Sequence, residues 1–347
     1  MNASRLKQAV SSLSSADFAS RNGGQHAAAF EELTWEVFRY QSVHNPVYHQ
    51  YLRHLGKRTE DIRSVAQIPF LPIEFFKHHR VLTGNPVAEL VFESSGTTAG
   101  VRSRHYVADP DLYQRVSERI FRQFYGPLTD FHVLALLPAY LERNNSSLVY
   151  MVADFIRQSQ SPFSGFFLRN TDDLVSTLGA LAKRGDRKVL LIGVTFALLD
   201  LAESGREWAF LRDLPELVVM ETGGMKGRRE ELLREEVHAI LTNAFPVEKI
   251  HSEYGMTELL SQAYSTGDGI FTPPPTVRII LRDVNDPFAV DPGRRSGGIN
   301  VIDLANVDSC AFVETKDLGS FVGPEGHFRV LGRFDNSDVR GCNLLVE

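Results

Sequence analysis

The sequence has few of the features that mark several large classes of protein. Its 347 residues include only two cysteines, too few for a disulfide framework, and no Cys/His spacing of the zinc-binding kind occurs. The net charge of −6 leaves no basic stripe for nucleic acid. The most apolar run, Val189 to Leu199, is far shorter than the roughly 20 residues of a membrane span, and no signal-peptide core follows Met1. We therefore predict a cytoplasmic protein that binds no nucleic acid and spans no membrane.

Short apolar runs alternate with helical patterns from about residue 130 to about residue 255. Val133–Leu137, Val189–Ile192 and Val218–Met220 are continuous apolar runs, as expected for strands that are buried on both faces. The segments between them place apolar residues at helical spacing, for example Leu174 and Leu178. This alternation favours an α/β fold in which a parallel sheet is flanked by helices.

The chain divides into three regions by composition. Residues 1–85 have a mainly helical pattern and are expected to pack on the core. Residues 86–275 form the predicted α/β core, and residues 276–347 form a small β-rich subdomain with a hinge-like tail. The aromatic segment Ile68–Lys77 contains two prolines and is compatible either with core packing or with the wall of an acyl pocket.

Three polar, glycine-bearing loops follow predicted strands. Ser94–Gly100 reads Ser-Ser-Gly-Thr-Thr-Ala-Gly, and its glycines and hydroxyls could wrap a phosphate, although a plain turn fits the same residues. It is not the lysine-containing P-loop, because no lysine follows its second glycine. Glu221–Lys226 and Glu253–Glu258 follow the next strands. Ligands of open α/β sheets bind beyond the carboxyl ends of the strands, so this shared placement favours the phosphate interpretation.

Taken together, the motifs resemble those of the adenylate-forming superfamily, which includes acyl-CoA synthetases and luciferases. The matching segments are Ser94–Gly100, Tyr254-Gly255-Met256-Thr257-Glu258, Lys316-Asp317-Leu318-Gly319 and Gly332-Arg333-Phe334-Asp335. Within the superfamily the chain resembles the acyl-protein synthetase branch, the fatty-acid-activating component of bacterial bioluminescence complexes. That resemblance rests on the blocks His44–Tyr48, Ile68–Pro72, Leu137–Arg143, Gly193–Leu199 and Gly223–Arg228.

The resemblance implies ATP and Mg²⁺ as cofactors, with charge on the phosphates neutralised by hydrogen-bond donors and by the metal. Thr257 would donate to the α-phosphate, and Glu258 would ligate Mg²⁺, a hard cation suited to one carboxylate plus phosphate oxygens. The loop residues implied to hold the β- and γ-phosphates are Ser94, Ser95, Gly96, Thr97, Thr98 and Gly100.

The adenosine contacts are implied in the same way. Asp317 would accept hydrogen bonds from the ribose hydroxyls, and Arg333 would reach the ribose or a phosphate. Tyr254 would lie against adenine, with Gly223 and Gly224 leaving room for the base. The implied ATP-binding residues also include Met225 and Gly255. Taken singly, Tyr254 is also compatible with core packing, Glu258 with helix capping and Asp317 with an ordinary turn.

The implied reaction joins a carboxylic acid, expected to be fatty, to a thiol through acyl-AMP. Cys342 lies near the chain end beside Arg340, a cation that favours thiolate, and the branch carries its acyl group on such a cysteine. Without the resemblance, a lone cysteine is more often a small buried apolar residue. That structural role is expected for Cys310. Coenzyme A or an acceptor protein are further candidate thiol partners, and the oligomeric state stays open.

The chain departs from the wider superfamily after the hinge aspartate. Only 12 residues follow Asp335, so the usual C-terminal domain with its adenylation lysine is expected to be missing, unless Lys226 or a partner replaces that lysine. Two alternatives remain open: a phenylacetate-type coenzyme A ligase, and a degenerate nucleotide-binding protein without catalysis.

Overall fold

A computed structural model describes residues 2–14, 24–94, 101–138, 145–224, 232–291, 293–323 and 326–334. The α-helices in these ranges are α1 (Ala3–Ser14), α2 (Gly24–His44), α3 (Pro46–His54), α4 (Phe75–His78), α5 (Pro110–Tyr125), α6 (Ser147–Ser159), α7 (Thr171–Arg184), α8 (Thr195–Ala202) and α9 (Arg234–Ala244). Among the described residues, no helix is long and apolar enough to cross a membrane.

The strands form one large mixed sheet and one hairpin. They are β1 (Leu71–Pro72), β2 (Leu90–Glu93), β3 (Arg104–Val107), β4 (Phe131–Leu136), β5 (Gly165–Phe166), β6 (Lys188–Gly193), β7 (Leu217–Glu221), β8 (His251–Tyr254), β9 (Ala263–Ser265), β10 (Phe271–Thr272), β11 (Val277–Arg282), β12 (Ser296–Asp303), β13 (Phe312–Val322) and β14 (His327–Arg333). The order in the large sheet is β11-β12-β13-β14-β10-β9-β8-β7-β6-β4-β5, with β1 beside β13. The hairpin is β2–β3.

The parallel part of the sheet is buried on both faces, as the continuous apolar runs predict. Strands β5, β4, β6, β7 and β8 pair in parallel. In β4, Val133 and Ala135 belong to one hydrophobic core, whereas Leu134 and Leu136 belong to a second core on the other face. Helix α6 packs into the first core, and α7, α8 and α9 pack into the second. The predicted α/β fold class, with parallel strands flanked by helices, is confirmed.

The strand-rich residues after 275 extend the same sheet through antiparallel pairing of β11 to β14. Strand β1 joins the aromatic segment to this region, because Leu71 pairs with Val313. Phe70 is buried and packs against Phe312, with ring centroids 6.1 Å apart. The segment is therefore core, one of its two predicted roles.

Two predicted strands differ from the observed ones in their limits. The sequence around Ile250 predicts a short strand that ends there, but the observed strand begins at His251 and runs to Tyr254. The apolar residues over 163–168 predict another strand, of which Gly165–Phe166 forms and pairs with β4. Local apolar patterns indicate that a strand exists, but its limits depend on the neighbouring strand with which it pairs.

Candidate functional site

The carboxyl ends of three parallel strands bring the predicted loops to one edge of the sheet. Strands β6, β7 and β8 end at Gly193, Glu221 and Tyr254, and their parallel pairing places these ends side by side. This is the edge at which open α/β sheets bind ligands. The hairpin β2–β3 carries the first loop, whose residues 95–100 lie outside the described residues, as does Met225.

Asp317 and its two neighbours form the first cluster at this edge. The Tyr254 hydroxyl donates to Asp317 Oδ2 at 2.8 Å, and Arg333 Nε lies 3.4 Å from Asp317 Oδ1. Asp317 and Arg333 face each other across the β13–β14 pair. Burial raises the pKa of Asp317, and the Tyr254 hydrogen bond and the Arg333 charge oppose that rise. Each carboxylate oxygen keeps acceptor capacity, so this cluster fits a vicinal diol such as ribose.

Tyr254 presents its ring on the other side of this cluster. Its ring packs against Phe271 and Phe328 with centroids 5.8 and 5.6 Å apart. Burial raises the pKa of its hydroxyl well above the usual value, and the Asp317 charge raises it further. Tyr254 is therefore a neutral donor that fixes the orientation of Asp317.

Thr257 and Glu258 form the second cluster, and a buried polar framework holds their main chain. His105 Nδ1 lies 2.8 Å from the Thr257 carbonyl oxygen, and Asn306 Nδ2 donates to the Glu258 carbonyl oxygen at 3.0 Å. Asp303 Oδ2 accepts from the N–H groups of Leu260 and Ser261, at 2.7 and 3.1 Å. The path of the Thr-Glu motif is thus set by side chains from β3 and from the end of β12.

These framework residues were missed by sequence reasoning. His105, Asp303 and Asn306 are all fully buried, although their residue types are usually exposed or only partly buried. The one available signal was the pair Asp303 and Asn306 directly after an apolar run. A buried polar pair at a strand end commonly binds main-chain groups.

The base of the first loop is closed by main-chain and hydroxyl contacts between its two ends. The Ser94 N–H donates to the Ser103 carbonyl oxygen at 3.0 Å, and the Ser103 N–H donates to Ser94 Oγ at 3.1 Å. The predicted contact of Ser94 with phosphate stays a prediction. Its hydroxyl oxygen is already a structural acceptor at the loop base.

Glu258 provides a single carboxylate next to this loop base. Burial raises its pKa, and a hydrogen bond from the Ser103 hydroxyl opposes that rise. Within the described ranges, no group of three or more His, Cys, Asp or Glu residues could hold a metal ion. A lone carboxylate fits Mg²⁺, which usually takes one or two protein carboxylates and completes its shell with water and substrate phosphates.

Glu221 organises the start of the second loop. Its Oε2 accepts from the Gly223 N–H at 2.7 Å and from Thr195 Oγ1 at 3.2 Å, and Arg234 Nε lies 3.2 Å from Oε1. Burial opposes ionisation, but the His238 hydrogen bond and the Arg234 charge outweigh it and lower the pKa of Glu221 to about 2. Gly223 has φ +71°, where a side chain would be strained. The carboxylate therefore fixes a glycine turn at the sheet edge.

Glu253 is a second carboxyl at this edge, and its protonation differs from that of Glu221. Burial, and then the negative charge of Glu221, raise the pKa of Glu253 from 4.5 to about 8. A folded-state pKa above the unfolded value favours the protonated form on folding. Its contribution to stability is therefore present below pH 4.5 and is lost as pH rises through about 8.

We expect Glu253→Gln to remove this pH dependence. The free energy of unfolding of the wild type should fall by up to about 1.4 kcal/mol for each pH unit between pH 4.5 and about pH 8. The amide of the variant stays neutral throughout. Thermal unfolding of both proteins from pH 5 to pH 9 measures this, and the variant should be the more stable one at high pH. Parallel curves for the two proteins would contradict the assignment.

Of the two cysteines, Cys310 lies within the described residues and Cys342 does not. Cys310 is fully buried, and burial raises the pKa of its thiol to about 12, in agreement with its predicted structural role. The predicted role of Cys342 as acyl carrier therefore stays a prediction.

His251 lies beside the Tyr254 loop, and its Nδ1 is 3.1 Å from the Tyr125 hydroxyl oxygen. Burial lowers the pKa of His251 to about 4.

Comparison with known proteins bears on the fold. No known protein family profile and no curated protein sequence matches the chain. Its fold, however, is that of the acyl-CoA synthetase-like adenylate-forming enzymes.

Three solved structures illustrate the likeness. An open conformation of 2-hydroxyisobutyryl-CoA ligase (HCL) with 2-HIB-AMP and CoA aligns with TM-score 0.62 and 15% identity, over 89% of this chain and 76% of that one. The same ligase in the postadenylation state with R3-HIB-AMP gives 0.63 and 14%, over 92% and 69%. ATP-bound MatB from Rhodopseudomonas palustris gives 0.51 and 18%, over 72% and 49%. The chain therefore spans about half the length of MatB.

Proposed function

We propose that the protein is an ATP- and Mg²⁺-dependent acid–thiol ligase. The observation that carries this is the convergence of two clusters on one sheet edge: Asp317 with Tyr254 and Arg333, and Glu258 with Thr257. The first suits a ribose and the second suits phosphates with a metal. Support comes also from the similar structures, in which MatB binds ATP and HCL binds 2-HIB-AMP and CoA.

The first half-reaction is adenylation. A carboxylate oxygen of the acid attacks the α-phosphorus of ATP, the bond from that phosphorus to the bridging oxygen of the β-phosphate breaks, and pyrophosphate leaves. Positioning and charge neutralisation supply most of the rate enhancement in such phosphorus transfers. Mg²⁺ held by Glu258 would neutralise charge on the phosphate oxygens. Thr257 would donate to the α-phosphate, and Asp317 would hold the ribose.

The second half-reaction moves the acyl group to sulfur. A thiolate attacks the acyl carbonyl carbon, the bond between that carbon and the AMP oxygen breaks, and a thioester and AMP result. We propose Cys342 as the thiol that accepts a fatty acyl group, with Arg340 favouring its thiolate. Coenzyme A is the alternative acceptor, as the bound CoA in the HCL structure illustrates.

Intact-mass spectrometry after incubation with ATP, Mg²⁺ and a panel of carboxylic acids tests the acceptor. We expect the wild type to gain one acyl mass that hydroxylamine removes, and Cys342→Ser to gain none. Cys310→Ala is the matched control, since its buried thiol has a raised pKa and little thiolate at neutral pH, and it should be acylated like the wild type. An adduct that survives in Cys342→Ser would refute Cys342, and acyl-CoA formation without an adduct would favour the coenzyme A ligase.

Isotope exchange between pyrophosphate and ATP tests adenylation itself. Exchange that depends on a carboxylic acid is the expected result. Nucleotide binding without exchange for any acid would support the remaining alternative, a degenerate nucleotide-binding protein.

A further inference from the structure

His105 joins the hairpin that carries the phosphate loop to the Thr-Glu motif. It lies on β3, paired with Phe92 of β2, and its Nδ1 lies 2.8 Å from the Thr257 carbonyl oxygen. His105 and Thr257 are 152 positions apart in the sequence. Phe76 packs edge-on against the imidazole, with centroids 5.8 Å apart and an interplanar angle of 88°, so the ring has a fixed orientation.

The direction of this hydrogen bond follows from the surroundings. A carbonyl oxygen only accepts, so Nδ1 must carry the proton and donate. Burial lowers the pKa of His105 to about 4, against the opposing hydrogen bonds of Thr257 and Asn306. His105 is therefore neutral at ordinary pH, with the proton on Nδ1 and none on Nε2.

A second contact links the same hairpin to the same motif. Ser103 is buried at the loop base, where its main chain is bonded to Ser94. Its hydroxyl forms a hydrogen bond with Glu258 that opposes the rise in pKa caused by burial of that carboxyl. From the opposite side, Asn306 holds the Glu258 carbonyl oxygen. The motif is thus held between β3 and the end of β12.

We propose that His105 is a positioning residue that fixes Thr257 and Glu258 at a set distance from the loop base formed by Ser94 and Ser103. The inference rests on the proposed function, since it gives these two residues the α-phosphate and the metal. A nucleotide whose phosphates contact both the loop base and the Thr-Glu motif needs these two parts at a fixed spacing. A displacement of about 1 Å can cost roughly 100-fold in rate. His105 is fully buried behind Thr257, so in this proposal it acts through the Thr257 main chain and not by contact with nucleotide or acid.

Three substitutions separate the hydrogen bond from simple filling of space. In His105→Asn the side-chain amide nitrogen occupies nearly the position of Nδ1 and keeps the donor. His105→Gln places its amide farther out, near the position of Nε2, and His105→Leu fills the volume without a donor. The matched control is His132→Leu, which removes another buried histidine, bonded to Ser161 and Asp186 away from the site edge.

Two measurements on the full chain test whether His105 positions Thr257 and Glu258. Hydrogen–deuterium exchange in the absence of nucleotide follows the amides of residues 259–261, whose partners are Met256 and Asp303. Pyrophosphate exchange gives KM for MgATP and kcat separately. We expect His105→Leu and His105→Gln to speed amide exchange there and to lower kcat about 10-fold or more with a smaller change in KM for MgATP, with the Asn variant close to wild type. His132→Leu should lower thermal stability without either effect.

The inference is overturned if the Leu and Gln variants match the wild type in both measurements. It is also overturned if His105→Asn is as defective as His105→Leu, or if His132→Leu lowers kcat equally, because the effect would then be one of general stability. Should the wild type show no pyrophosphate exchange with any acid, the proposed function fails by itself. Amide exchange and the binding of a fluorescent ATP analogue then still decide whether His105 positions the motif.

Discussion

Glu258→Gln is expected to lower the rate of pyrophosphate exchange by at least about 100-fold, the usual cost of removing one electrostatic contact to a transition state. The amide has nearly the shape of the carboxyl, so the packing around Ser103 and Asn306 should persist. It lacks the charge that Mg²⁺ requires of a protein ligand. The loss should therefore fall mainly on kcat and on the Mg²⁺ concentration needed for half-maximal rate.

The same substitution should leave stability unchanged or slightly improved. Burial raises the pKa of Glu258, which means that the folded protein disfavours the charged form and a neutral amide is no worse there. Thermal unfolding alongside the exchange assay separates the two effects. Glu118→Gln is the control, because this partly exposed carboxylate makes only a 4.0 Å contact with Arg122 on the same helix. A Glu258→Gln variant that keeps a tenth or more of wild-type exchange would contradict the metal role.

The placement of the loops could be predicted from sequence because it follows from local patterns. Apolar runs such as Val189–Ile192 identify strands buried on both faces, and helices between them require parallel pairing. Parallel pairing then puts Glu221 and Tyr254 at one edge. The contact between Asp317 and Arg333 does not follow from local patterns, because it depends on the register of β13 against β14. Their separate motifs were nevertheless visible in the sequence.

The framework behind the motif could not be predicted, because nothing local distinguishes its members. His105 finds its partner 152 residues away, and Asn306 finds Glu258 48 residues away. A histidine within a short strand and an asparagine in a turn are both ordinary in their own surroundings. Their importance arises only when the sheet and the hairpin come together and bury them.

The β-rich region illustrates the same limit. The sequence predicts that residues 276–347 are rich in strands, and the run Ile299–Leu304 falls largely within β12, Ser296–Asp303. Their continuity with the parallel strands through β10 and β9 was not expected, because strand pairing is a long-range property. The proposed division of the chain at residue 276 stays a prediction.

Asp317→Asn is expected to raise KM for ATP by about 10- to 100-fold, since hydrogen bonds to a charged group are each worth about 1.5–3 kcal/mol when they are lost. The carboxylate can accept from two ribose hydroxyls at once, whereas the amide presents one acceptor and one donor. Its NH₂ group would also face either the Tyr254 hydroxyl or Arg333, which now donate to or lie beside the carboxylate. The kcat should change less, because the ribose is remote from the reacting phosphorus.

A comparison of nucleotides makes this prediction specific to the ribose. Wild-type protein should prefer ATP over 2′-deoxy-ATP by about 10-fold in kcat/KM, and Asp317→Asn should lose most of that preference. Tyr254→Phe is the matched control: it removes the donor to Asp317 Oδ2 but leaves both carboxylate oxygens, so the preference for ATP should survive with a smaller rise in KM. If Asp317→Asn weakened both nucleotides equally, the carboxylate would be supporting the sheet edge through Tyr254 and Arg333 without contacting the sugar.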